Sequence, residues 1–151
     1  MIDGVRVTSL EPQIDERGRL VELFRSDEEE CGSFGQVHVT TLFPGVVKGW
    51  HRHRRRNELF AVVQGMVRLG LYDDREGSPT DGELNQFFLG VHSPLRVFVP
   101  QGVWFGMKAI GGEEAIISVF SDARYDARDP DEERIDPEVN EIPFDWDIKH
   151  R

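Results

Sequence analysis

Apolar residues alternate with polar ones, or gather into short Val-, Ile- and Phe-rich runs, at 36–43 (QVHVTTLF), 59–63 (LFAVV), 66–72 (MVRLGLY), 85–89 (NQFFL), 95–99 (LRVFV) and 115–120 (AIISVF). A two-residue period lays one side of an extended chain against a core, so each run predicts a β-strand. Helical spacing is sustained nowhere. Turn formers separate the runs: Pro44-Gly45, Gln64-Gly65, Gly77-Ser78-Pro79, Asp81-Gly82, Ser93-Pro94, Pro100-Gln101-Gly102 and Gly111-Gly112. Short strands at this spacing predict an all-β antiparallel sandwich, jelly roll or small barrel. A helix is invited only at 26–31, where Ser26 and Glu29 have the spacing of a capping box.

Composition narrows the setting. The 151 residues suit one domain, and neither a repeat nor a composition break divides them. A single cysteine, Cys31, next to acids, predicts neither a disulfide framework nor an activated thiolate. The absence of a long apolar run and of a signal-peptide pattern predicts a cytoplasmic protein. A formal charge of −10 repels polyphosphate backbones and anionic lipid, so nucleic-acid and membrane partners are not expected. Charge is unevenly spread: five Lys and Arg and no acid lie between Lys48 and Arg56, whereas eleven acids against three Arg lie between Asp122 and Asp147. These segments have the charges to complement each other. Ile135, Val139, Ile142, Phe144 and Trp146 give the acidic tail enough apolar anchors to lie ordered across the fold.

The densest chemistry is Gly45-VVKGW-His51-Arg52-His53-RRRN-Glu58-LFAVVQ-Gly65. In an extended strand residues two apart share a face, so His51 and His53 point together and Arg52 points away. This spacing resembles the first motif of the cupin β-barrels, in which His, His and Glu hold a divalent metal. The family's second motif ends on a further histidine, and here Pro100-Gln101-Gly102-Val103-Trp104-Phe105 carries phenylalanine there. A phenyl ring has no lone pair for a metal. We therefore expect no metal and no cofactor, with a metal-dependent cupin enzyme using His51, His53 and Glu58 as an alternative.

A resemblance covering nearly the whole chain is carried by Leu10-Glu11-Pro12, Asp15-Glu16-Arg17-Gly18 followed by Glu22, PGVVKGWH at 44–51, GSPT at 77–80 followed by Gly82, and VPQGVWFG at 99–106. In this order they resemble the dTDP-4-dehydrorhamnose 3,5-epimerase family, metal-independent cupins that act on dTDP-4-keto-6-deoxyhexoses as homodimers. GWHRHRRRNELFAVVQG is also similar to the signature of the sugar-nucleotide 3,4-ketoisomerases. The resemblance implies one cupin-type jelly-roll β-barrel over 1–151 with short peripheral helices. It implies a cytoplasmic, homodimeric isomerase of polysaccharide biosynthesis that binds a dTDP-linked sugar. It places His51 on the catalytic base and His53 on the ketoisomerases' second histidine. Arg17 falls on a diphosphate contact, Glu22 on a carboxylate at the thymine-deoxyribose end, and Lys48 on the arginine before the base. The epimerases' lysine aligns with Glu58 and their tyrosine acid with Val119. Their base-orienting aspartate falls beyond residue 151, which leaves Asp122 or Asp145 to serve.

The residue types suit that chemistry. A hydrogen beside a ketone is removable when a base is held against it and the enolate oxygen is stabilised. Histidine can take and return a proton near neutral pH. Arg17, Lys48 and Arg54 to Arg56 offer charge to a diphosphate. Trp50, Phe24, Trp104 and Phe105 offer apolar faces, with packing as their plainer use. Glu58 and Tyr125 complete the candidate substrate contacts, and Tyr72 or Tyr125 is the candidate replacement for the missing phenol. The expected activity is thus a 3,5-epimerase of a dTDP-4-keto-6-deoxyhexose. A 3,4-ketoisomerase and a non-catalytic sugar-nucleotide binder are the alternatives.

Overall fold

The computed structural model describes residues 1–148. Twelve strands follow in order: β1 (Arg6–Ser9), β2 (Gln13–Asp15), β3 (Gly18–Leu20), β4 (Gln36–Leu42), β5 (Val47–Arg52), β6 (Glu58–Gln64), β7 (Met66–Tyr72), β8 (Leu84–Gly90), β9 (Leu95–Val99), β10 (Trp104–Ile110), β11 (Ala115–Ser121) and β12 (Glu133–Arg134). Ten of them form two antiparallel sheets, ordered β1-β9-β6-β11-β4 and β12-β5-β10-β7-β8; β2 and β3 pair only with each other. Ladder hydrogen bonds thus give two facing sheets, with β4 at one edge of the first and β12 beside β5 at one edge of the second.

All six predicted strands are present. The two beginning at Met66 and Leu95 keep the bounds read from their alternation. The helix expected over 26–31 shrinks to one 3-10 turn, Glu29–Cys31, capped at Glu28 without a side-chain bond, so the Ser26 capping box does not form. Cys31 is buried against Leu59 and Phe120. Strand β10 gives no alternating signal because both its faces are covered: Phe105 and Met107 enter the central core, while Trp104 enters a second cluster behind the sheet. No helix among the described residues is long and apolar enough to cross a membrane.

The central core lies between the sheets and includes Leu42, Phe60, Val67, Leu69, Val97, Phe105, Ile117 and Val119. The second core is made by the tail. After β12, Ile135 exchanges both backbone hydrogen bonds with Trp50, and the chain then crosses the outer face of the second sheet. There Ile135, Ile142, Phe144 and Trp146 pack with Trp50 and Trp104, whereas Val139, expected as an anchor, is 81% exposed.

Two glycines paired in register, Gly70 and Gly106, form the floor of this second core. A Cβ on Gly70 would lie 2.8 Å from the Phe144 ring, and one on Gly106 would lie 2.8 Å from Trp146. Arg68 and Lys108 donate to the backbone oxygens of Asp147 and Trp146 and hold the end of the tail. Trp146→Ala should therefore cost about 3–5 kcal/mol, the range for truncating a buried aromatic. Urea denaturation of the variant beside the parent measures it.

Candidate active site

The side chains of β5 are aimed by an irregularity in its pairing with β10. Lys48 pairs with Met107 and His51 with Phe105, so a three-residue step along β5 matches a two-residue step along β10. This extra residue lets Lys48 and His51 both face inward although three apart. Trp50 and Arg52 face outward, the latter with its guanidinium 4.3 Å from the centre of the Trp104 ring. His51 and His53 both lie 5.7 Å, centroid to centroid, from Phe105, as the alternation predicts. The phenyl ring at the position of a cupin ligand thus forms a floor between two imidazoles.

The tail supplies the acid that meets His51. Glu132, just before β12, places Oε1 2.9 Å from His51 Nδ1. The approach falls short of an in-line hydrogen bond, and Nδ1 has no other partner among the described residues. Arg134 pairs with His51 across the β5–β12 ladder and donates to the same Glu132 carboxylate. Burial would raise the pKa of Glu132, but Arg134 and His51 hold it below the ordinary value. Burial pushes the His51 pKa down, only partly offset by Glu132, so the ring is neutral at neutral pH. A neutral imidazole beside a fixed carboxylate has the chemistry to accept a proton.

His53 is different. It is 4% exposed, its Nδ1 is held by the backbone carbonyl of Asp131, and its Nε2 lies 3.1 Å from Arg56 Nη2 and 3.4 Å from Glu58 Oε1. Burial works against its protonation, but Glu58 outweighs it and draws the pKa up. Glu58 is itself engaged by Ser121 Oγ at 3.1 Å and by Arg56 Nε at 3.6 Å. A metal at His51, His53 and Glu58 does not fit these residues, because a guanidinium and a carbonyl occupy His53. No group of three His, Cys, Asp or Glu among the described residues has metal-holding geometry.

The other sequence candidates scatter. Lys48 joins the inward row of β5 and donates to Thr40 Oγ1 on β4 at 3.0 Å. Trp50 is completely buried in the outer cluster, 5.4 Å from Phe144, so its aromatic face serves packing and not a ligand. Trp104 and Tyr72 belong to the same outer cluster, which removes Tyr72 from the site. Phe24 packs on Phe120 outside the first sheet. Tyr125 is 55% exposed and close enough to Arg134 to act on its charge. Asp122 is spent on Asn57, and Asp145 accepts from the backbone N–H of Asp147 behind the second sheet; neither meets His51. The basic run is largely neutralised by the tail, Arg54 on Glu133 and Arg55 on Asp129, as their complementary charges suggest.

Arg17 and Glu22 do not reach the histidines. Arg17 is 84% exposed on the β2–β3 hairpin and paired with Asp15. Its neighbour Arg19 donates to the carbonyl of Val63, at the end of β6 remote from Glu58 and about 17 Å along the strand. Glu22 is paired with Arg25 on the outside of the first sheet. Glu132 was invisible in the sequence as a partner of His51: one acid among eleven in the tail, it is distinguished only by the β12–β5 register.

The family model for the polysaccharide biosynthesis C-terminal domain matches residues 13–133. A probable low-salt glycan biosynthesis epimerase of Haloferax volcanii is 41% identical over 150 residues, covering 98% of this chain and 96% of that one. A spore coat polysaccharide biosynthesis protein of Bacillus subtilis is 36% identical over 151 residues, covering all of both. Among solved structures, a dTDP sugar isomerase from Desulfovibrio desulfuricans superposes with a TM-score of 0.91 at 32% identity, over 96% of this chain and 92% of that one.

Proposed function

Because the chain belongs to the polysaccharide biosynthesis C-terminal domain family, and its relatives and structural neighbours are sugar epimerases and isomerases, we propose that this isomerase-type enzyme epimerises a nucleotide-linked 4-keto-6-deoxyhexose. The observation that carries this reading is the Glu132–His51 pair: a half-buried, neutral imidazole set by a carboxylate and facing inward between the sheets. His51 takes the hydrogen from the carbon beside the ketone. Lys48, on the same inward row, and Arg134, beside His51 across the ladder and 69% exposed, supply positive charge to the enolate oxygen and the diphosphate. Phe105 provides the apolar floor.

Epimerisation is favoured over 3,4-ketoisomerisation by the state of His53. Moving a proton between adjacent carbons on one face would recruit the neighbouring imidazole, and both nitrogens of that ring are engaged. A dTDP nucleotide is supported by the likeness to the dTDP sugar isomerase of Desulfovibrio desulfuricans. A homodimer accounts for the remote Arg17 and Glu22, which reach a nucleotide only from a second copy. Val37 and Val39, exposed by 47% and 61% on the outward face of edge strand β4, offer such a copy an apolar strip.

Incubation with dTDP-4-keto-6-deoxyglucose in heavy water tests the reading by proton NMR. Deuterium at C3 or C5 with inversion is expected. Relocation of the carbonyl would make the enzyme a ketoisomerase, and unchanged substrate would refute both.

A further inference from the structure

Inversion needs a proton returned on the face opposite to its removal, and the wall opposite His51 is β4. The inward row of that strand is fixed by Leu42, which is 1% exposed in the central core, and by Thr40, which receives the Lys48 ammonium. His38 is the next residue of the same row, two positions from Thr40, and pairs in register with the core residue Val119. On β5, two ladder positions separate Lys48 from His51, because the inserted residue adds none. Both strands leave the 43–46 turn in the same direction. Starting from the Thr40–Lys48 contact, His38 and His51 therefore advance equally, by about 7 Å, along facing walls. Facing sheets stand about 10 Å apart, and here the edge opening between them is bridged by a lysine side chain.

We propose that His38 is the second proton carrier of the reaction, delivering to the carbon from the β4 wall the proton that completes the inversion. The inference rests on the epimerase reading above and names a catalytic residue for it. His51 takes the C–H proton and the electron pair passes into the enolate. The His38 imidazolium then gives its N–H proton to the opposite face of that carbon, the new C–H bond forms, and the ketone returns. His51 is left protonated and His38 neutral, and both reset with water, to which His38 is exposed. The other candidates are weaker: Lys48 is held by Thr40, Tyr72 is behind the second sheet, and Val119 has no transferable proton.

The test separates removal of the proton from its return. In His38→Gln, with His51 intact, deuterium should still enter the substrate, while the inverted product should fall about a hundredfold or more. Added imidazole should restore part of the inversion in His38→Ala. Inversion within threefold of the parent in His38→Gln, equal loss of exchange and inversion in a variant that keeps the parent's Tm and dTDP binding, or loss of inversion in Tyr125→Phe instead, would each overturn the assignment. A parent enzyme that neither exchanges nor inverts would overturn the epimerase reading itself, so the two failures are told apart by the parent.

Discussion

His51→Gln is expected to lower turnover by roughly 10²–10⁴-fold, the contribution of a positioned proton-transfer group. Glutamine keeps a polar, planar end beside Glu132 and Phe105 but cannot accept the substrate's proton at neutral pH. The loss should fall on kcat, with KM little changed, because the interaction removed is made only as the C–H bond breaks. Deuterium entry should disappear together with product, unlike the outcome expected for His38→Gln. Turnover in His51→Gln equal to that of the parent would show that another group is the base. The pH profile adds an independent check. Burial holds the His51 pKa below its ordinary value, so the ring stays neutral and active as pH falls past 6.5, and kcat/KM should decline only below that point.

Glu132→Gln carries the second large effect. Removing a carboxylate that fixes a catalytic imidazole has cost about 10⁴-fold in the serine-protease triad. A smaller loss, on the order of 10²-fold, is expected here because the Glu132–His51 approach is not in line. The sign of the pH shift discriminates an electrostatic role from simple disruption. Glu132 raises the His51 pKa, and Arg134 lowers it. The amide removes the first influence and frees Arg134 to strengthen the second, so the acid limb of kcat/KM should move to lower pH. A limb that stays in place or moves upward would show that Glu132 does not act on His51.

How far the fold and site could be read in advance depended on where the deciding contacts lie. Strands β7 and β9 were legible end to end because alternation reports a single buried face. Strand β10 was hidden because the tail covers its second face, and that cover comes from residues about forty positions further along. The shared facing of His51 and His53 followed from spacing alone. Their division into a neutral imidazole and an occupied ring did not, since Asp131 and Glu132 lie 78 or more residues away in the sequence. Trp50 offered a stacking face or simple packing, and packing prevails because alternation puts it on the face opposite to His51, in the second core. His38 sits in an unremarkable alternating strand, and only the ladder from Leu42 to Thr40 shows which wall it occupies. The Arg run was read from its charge, but its use depended on the tail docking beside it.

The glycine floor behind the second sheet has a consequence for inheritance of activity among related chains. Phe144 and Trp146 lie against Gly70 and Gly106 on one side of a sheet whose other side carries His51, and the segment they pin is the one that brings Glu132 to that ring. Two homologues with identical linings around the sugar can therefore diverge in rate through a single methyl group added on the far side of the wall. A survey that scores only the residues touching substrate would rank such a pair as equals.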